Sequence, residues 1–311
     1  MSVADFGGPS ERARELVRGA FDLHVHVGPD LIARRIDDVS LASRFRDLGL
    51  AGFALKSHYV PTAERAAVVR AAVPEVAAIG AIALNAAVGG LNALAVEIAA
   101  REGARIVWLP TVDALGETAG RTPPRPGAKL PAWASMQQDL RALGMAIEPV
   151  PVIDEWGRPL EEARAVLEVV ARHDMVLGTG HLARDEIFAM VHAAFQQGVR
   201  LVVVTHPEFP SQNLSIDDQR ELAARGALLE RCFTTPHTGK CTWERWLEAT
   251  RAVGPENSFL SSDLGQRANP PVEDGLALMA DRLLGAGFSE GEVRTMAVDN
   301  TRRLAEVAVP A

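Results

Sequence analysis

Apolar residues along this chain gather in short runs separated by longer stretches of helical periodicity. The runs fall at residues 21–29, 52–59, 76–84, 104–109, 175–181, 200–206, 227–233 and 258–263. Most are stopped by Gly, Pro, Asn or a polar cluster, which is how a buried strand reads. Between them, apolar residues recur at three- and four-residue spacing with capping signals at the ends. Gly49 closes 39–48, Pro61 opens 61–72, and Gly103 closes 91–102. Further helices are expected at 11–18, 161–173, 184–197, 215–225, 242–252, 273–284 and 289–307. Strands recur roughly 25–30 residues apart, each followed by a helix, which is the rhythm of parallel βα units. Eight units predict an α/β fold, a closed (β/α)8 TIM barrel with its active site at the C-terminal strand ends. A doubly wound sheet is the rival. It would usually carry a Gly-rich phosphate loop after the first strand, and Gly28-Pro29 is not one.

The rhythm breaks once, after the fourth strand, at about 114–160. A Gly-, Pro- and Arg-rich loop covers 114–131 and a helix is expected at 134–143. The segments 145–152 and 159–160, flanking Trp156-Gly157, predict a β-hairpin. No second domain or internal repeat is visible, so the 311 residues read as one domain with an insertion.

Composition narrows the function. Hydrophobic residues make up 48% of the chain, enough for a barrel core, and the formal net charge of -8 argues against nucleic-acid binding. No apolar run is long enough to span a bilayer, and residues 1–10 lack the features of a signal peptide. Cys232 and Cys241 then read as reduced thiols in a cytoplasmic protein.

Histidine placement gives the strongest chemical signal. Of eight histidines, only His173 and His192 fall within helices. The others sit at strand ends: His24 and His26 on the first strand, His58 on the second, His181 on the fifth, His206 on the sixth. His237 follows the seventh, and the eighth strand ends at Asp263. Alternation puts His24 and His26 on one face, with Asp22 beside them as an outer carboxylate that could orient His24. Barrel closure would gather His24, His26, His181, His206 and Asp263 into a nitrogen and carboxylate cluster suited to one or two divalent ions. Zinc is the first expectation, and manganese, nickel or iron are also compatible.

His-x-His on strand one, His on strands five and six, and Asp on strand eight resemble the amidohydrolase superfamily of metal-dependent hydrolases, over nearly the whole chain. Through Leu55-Lys56-Ser57-His58-Tyr59, Gly178-Thr179-Gly180-His181-Leu182 and Ser261-Ser262-Asp263-Leu264-Gly265 the chain looks like an amidohydrolase-related branch of that superfamily, a likeness that implies no particular substrate. The resemblance implies a metal-activated water that cleaves an amide, cyclic amide, lactone or related ester. It also implies Asp263 as general base and His206 as a ligand or substrate contact. One departure stands out. Binuclear members carry a carboxylated lysine or a glutamate at the end of strand four, and here that strand ends Trp108-Leu109-Pro110. Lys56 on strand two is the substitute, as a bridging carbamate or as an ammonium that binds substrate. His58 on the same face is a ligand or a group that polarises the substrate carbonyl.

Substrate contacts are expected from Lys56, His58, Arg231, His237 and Arg267, with Arg121, Arg125, Lys129 and Lys240 adding to a basic rim that suits an anionic small molecule. Trp133 and Trp243 are candidate pocket walls, whereas Trp246 reads as helix packing. A decarboxylase of the same barrel type is the first alternative. A phosphoesterase that begins with His-x-His is the second, weakened by the lack of Asp-x-His near residue 263. A non-catalytic barrel is the third. The apolar outer helix at 91–100 would suit either subunit packing in a homo-oligomer or packing on the barrel.

Overall fold

In the computed structural model the described residues are 7–119, 132–145 and 147–306, without the side chains at 118, 119, 132, 133, 141 and 306. Eight parallel strands succeed one another in chain order: β1 (Phe21–Val25), β2 (Gly52–Leu55), β3 (Ala77–Ala83), β4 (Ala104–Trp108), β5 (Val176–Gly178), β6 (Leu201–Val204), β7 (Leu228–Cys232) and β8 (Ser258–Ser261). They are shorter than the apolar runs because each run continues past its last ladder bond into the loop that carries the site. The extension of β8 closes the sheet on β1. Asp263 N–H donates to the His24 carbonyl and His26 N–H to the Leu264 carbonyl, both at 2.8 Å. The fold is a (β/α)8 barrel, as the βα rhythm predicts.

The barrel has an inner and an outer apolar layer. Inside lie Leu23, Ala54, Ile79, Ile106, Val176, Val203, Leu228 and Phe259. Outside, residues such as Phe53, Leu55, Val107, Val202 and Leu229 pack against helices. This alternation seals the floor of the barrel with hydrocarbon and leaves only the C-terminal strand ends for polar side chains. Capping holds the surrounding helices in place: Asp37 accepts Ser40 N–H at the start of Asp38–Leu48, and Ser215 with Asp218 forms a capping box on Ile216–Ala224.

Alternation is interrupted by register shifts between β1 and β2 and between β3 and β4, and the one on β1 corrects the expectation for Asp22. Asp22 pairs with Phe53 and Val25 with Leu55, with a register shift between them. Paired residues in a parallel ladder share a face, so Asp22 takes the side of Phe53 and the bulge re-aims the residues after it. Asp22 therefore does not orient the His24 ring, and reaches only its backbone N–H, at 3.4 Å. Its Oδ1 accepts Ser262 N–H at 2.9 Å and helps close the barrel, and burial pushes its carboxyl up to about 7.

The insertion also differs in detail. A short helix, Leu115–Ala119, opens it and the helix Ala132–Ala142 comes next. The expected hairpin reduces to one antiparallel bridge, Ile153 to Pro159, tightened by Asp154 accepting from the N–H groups of Trp156 and Arg158. Asp154 satisfies the turn locally, so no ladder extends from it. On the helix Ala93–Arg101, Leu94 and Ile98 stay exposed, at 70% and 49%. That helix therefore packs only part of its apolar surface on the barrel. Both cysteines are free thiols. Among the described residues no helix is long and apolar enough to cross a membrane.

Candidate metal centre

The β1 bulge and the β8 extension together build the centre of the site. His24 Nε2 and His26 Nε2 each lie 3.2 Å from Asp263 Oδ1. The three ligand atoms all fall within 4.8 Å of one another, from residues buried or nearly so. Asp263 holds φ +52°, a left-handed conformation in a non-glycine residue, and His206 holds φ +26°. Such conformations are costly and persist where the surrounding structure enforces them. Here Thr234 Oγ1 donates to Asp263 Oδ2 at 2.6 Å and fixes the carboxylate from the far side.

Supporting groups set which nitrogens are available. Glu230 Oε1 lies 3.0 Å from His24 Nδ1 and also accepts from Ser261 Oγ at 2.8 Å. A carboxylate at Nδ1 keeps the proton there, so the Nε2 lone pair of His24 faces the cluster. Glu230, not Asp22, is the orienting carboxylate. The sequence carries a signal for it: Glu230 and Cys232 share the inward face of β7 by simple alternation. Cys232 Sγ lies 3.8 Å from the same Nδ1, and His24, Glu230 and Cys232 form a second convergent group.

Charge and burial favour ligation. Burial opposes the Asp263 charge, but His24 and His26 outweigh it and hold the carboxyl well below its usual range. Burial lowers His26 to about 3, helped by Arg34, and His206 to about 3, helped by His181. Neutral imidazoles and an ionised carboxylate are the forms that bind a divalent ion. His206 Nδ1 is buried without a hydrogen-bond partner among the described residues, as a nitrogen reserved for a ligand would be. The residues present fit a metal ion.

His181 and His206 pack ring against ring at 4.9 Å, and His206 lies 6.1 Å from the His24 ring. All five expected ligands thus line one end of the barrel, with His24, His26 and Asp263 drawn tightest. Glu117 lies 3.0 Å from His181 Nδ1 and accepts from Ser211 Oγ. It comes from the interrupted region after β4, where no strand rhythm marks it.

Lys56 occupies the interior as expected. Its Nζ lies 3.0 Å from His24 Nε2 and 4.9 Å from the Trp108 ring. Trp108 fills the end of β4, and Lys56 reaches across its indole from the end of β2. His58 stacks on His26 with ring centroids 4.9 Å apart. Arg34 joins the site with no signal in the sequence pattern. It pairs with Asp30 at 2.6 Å and lies 3.4 Å from His26 Nδ1, with its side chain only 5% exposed.

The remaining expected contacts lie elsewhere. Arg231 alternates with Glu230 and so faces outward from β7; it is fully buried on Glu208, Gln219 and the Ala249 carbonyl. It is a structural arginine rather than a substrate contact. His237 stacks on Phe233 at 4.8 Å, and Trp243 packs on Phe233 and Trp246. Arg267 is exposed at the rim, 3.5 Å from the Arg34 carbonyl. Lys240 lies over Phe209. Arg121, Arg125 and Lys129 lie outside the described residues, as does the side chain of Trp133.

A protein-family model matches residues 19–230, more than half of the chain, and is described as a family of unknown function, DUF6282. This chain belongs to the DUF6282 family. Among curated proteins none matches the sequence. Solved structures resemble the DUF6282 chain along its whole length. An amidohydrolase from Pseudomonas aeruginosa matches with TM-score 0.59 and 13% identity, covering 95% of this chain and 99% of that one. An organophosphorus hydrolase from Deinococcus radiodurans matches with TM-score 0.55 and 14% identity, covering 96% and 99%. The lactonase Lmo2620 from Listeria monocytogenes matches with TM-score 0.53 and 12% identity, covering 94% and 95%. At such identities the likeness establishes the fold alone, a (β/α)8 barrel. Function has to be argued from the site.

Proposed function

We propose that the protein is a metal-dependent hydrolase that cleaves an amide, cyclic amide, lactone or related ester bond of a small substrate. The convergence of His24 Nε2, His26 Nε2 and Asp263 Oδ1 at the mouth of the barrel carries this reading. A divalent ion held there, zinc first and manganese, nickel or iron by the same donor set, would acidify a water molecule and polarise a carbonyl oxygen. Asp263 stays ionised and is steadied by Thr234, so it accepts the proton of the attacking water and returns it to the leaving group. His206 and His181, packed against each other, would be further ligands for such an ion, and Glu230 holds His24 with its Nε2 lone pair toward it. Lys56 lies beside the same His24 nitrogen. As an ammonium it would contact substrate in a one-ion site; carboxylated by carbon dioxide, it would instead be a ligand in a two-ion site. Asp30 and Glu230 balance the positive charges of Arg34 and Lys56, and Asp263 and Glu117 would balance one divalent ion, which suits a small neutral molecule. The structural likeness to an amidohydrolase, a lactonase and an organophosphorus hydrolase supports hydrolysis as the general reaction.

The test is a chelator-stripped enzyme, reloaded with zinc, manganese, nickel or iron and assayed on a panel of esters, lactones, amides and cyclic amides. Turnover is expected to vanish on stripping and to return with at least one metal, with water added to the product. Turnover that survives stripping would contradict the proposal. Release of carbon dioxide from a carboxylated substrate, with no bond hydrolysed, would replace it with the decarboxylase reading.

A further inference from the structure

Three buried side chains at the ends of β2, β3 and β4 form a hydrogen-bond chain whose direction can be read without seeing a hydrogen. Asn85 Oδ1 faces two backbone donors, Thr111 N–H at 2.8 Å and Asp113 N–H at 3.2 Å. Backbone N–H groups can only donate, so the atom facing them is the carbonyl oxygen and the Asn85 amide cannot be flipped. Its Nδ2 then donates to Thr111 Oγ1 at 2.6 Å and to the His58 carbonyl at 2.9 Å. Thr111 Oγ1 has one hydrogen of its own. Thr111 is fully buried, and the remaining partner of its hydroxyl among the described residues is His58 Nδ1 at 2.9 Å. A proton on Nδ1 would leave the hydroxyl hydrogen buried without an acceptor, which native interiors avoid. The hydroxyl therefore donates, and Nδ1 accepts.

We infer that Asn85 and Thr111 are positioning residues that lock His58 in its Nε2–H tautomer, making it a fixed hydrogen-bond donor at the site rather than a metal ligand. A protonated ring nitrogen has no lone pair left for an ion, and Nδ1 is already committed to Thr111. The His58 ring stacks on His26 and stands 6.0 Å from His181, so the donor lies beside the proposed ligands. It selects a substrate that places a hydrogen-bond-accepting oxygen there, such as a carbonyl or lactone oxygen on which negative charge develops. The catalytic meaning rests on the hydrolase proposal; the tautomer does not.

The experiment is a long-range nitrogen–proton correlation spectrum of the full-length, zinc-loaded protein with labelled histidine. His58→Gln identifies the His58 signals by their loss. The wild type is expected to show Nε2 in the protonated range and Nδ1 in the bare range. A proton on Nδ1, or an even mixture, would overturn the inference. Thr111→Ser is expected to leave the pattern unchanged, and Thr111→Val to shift it to a mixture. Asn85→Asp replaces a donor by an acceptor, which draws the Thr111 hydroxyl hydrogen away from His58. It is expected to move the proton to Nδ1. This variant decides the matter if Thr111→Val fails to fold. A full Nε2–H population surviving in either folded variant would overturn the relay. Any substrate found in the panel should be turned over roughly ten- to a hundredfold more slowly by Thr111→Val, and nearly normally by Thr111→Ser. Because the spectrum needs no turnover, a failure of the relay and a failure of the hydrolase proposal are seen separately.

Discussion

Asp263→Asn is expected to lower the hydrolytic rate about 10²–10⁴-fold at saturating metal, the span by which a positioned acid–base group contributes. The substitution keeps the shape of the side chain and an oxygen toward His24 and His26, which lie 3.2 Å from Oδ1. What it removes is the negative charge that can take a proton. Thr234→Val, which deletes the 2.6 Å bond to Oδ2, should cost far less, on the order of tenfold, because the carboxylate remains. A rate for Asp263→Asn within about threefold of wild type would show that the proton goes elsewhere and that Asp263 acts only as a ligand. The fully buried position of Glu230 against His24 would then make it the next base to test.

The second large effect concerns stability. Arg231→Leu is expected to destabilise the fold by about 3–5 kcal/mol in urea denaturation, because it strands the Glu208 carboxylate in the layer between β7 and the helices. Arg231 is fully buried and Glu208 is 6% exposed. Burial already raises the Glu208 carboxyl, and the Arg231 charge restrains that rise. With the arginine gone, the carboxyl must stay charged without a partner or take up a proton. Glu208→Leu together with Arg231→Leu removes both charges and should recover much of the loss, since an apolar pair can replace a buried ion pair. A loss below about 1 kcal/mol for the single variant would mean that the pair is open to water and energetically idle. The pair also matters to the site. Glu208 lies two residues beyond His206, whose φ of +26° must be held by its surroundings. Arg231→Leu should therefore weaken metal retention as well as the fold.

Arg231 also shows why part of the site is legible in the sequence and part is not. The eight strands and their order can be read from apolar runs at βα spacing, because barrel strands must be apolar on both faces. Polar groups gathered at the strand ends can be read too, since the floor of the barrel has no room for them. The misreadings arise where alternation decides a face. Counting assigns Asp22 to the face of His24, yet the β1 bulge inserts one residue and turns it to the side of Phe53. Arg231 reads as a rim charge, yet its neighbour Glu230 is the one that alternation sends inward. Glu117 and Arg34 come from loops with no periodicity, and their places depend on tertiary packing alone. Asn85 and Thr111 look like ordinary strand-end residues until the pairing of β3 with β4 brings their side chains within 2.6 Å of each other. The turn at Trp156-Gly157 resembles a hairpin in sequence, but Asp154 satisfies its backbone locally and no strand pair forms.

Whether the strand-end histidines and Asp263 hold a catalytic ion is decided by metal content. Inductively coupled plasma mass spectrometry should be run on the purified protein and on a His24→Ala/His26→Ala variant, each after incubation with zinc, manganese, nickel and iron. The wild type is expected to retain about one divalent ion per chain, or about two if Lys56 bridges as a carbamate, falling at least tenfold in the variant. No retained metal in the wild type, or equal metal in both proteins, would refute the metal centre and leave the chain as a (β/α)8 barrel without an ion at β1.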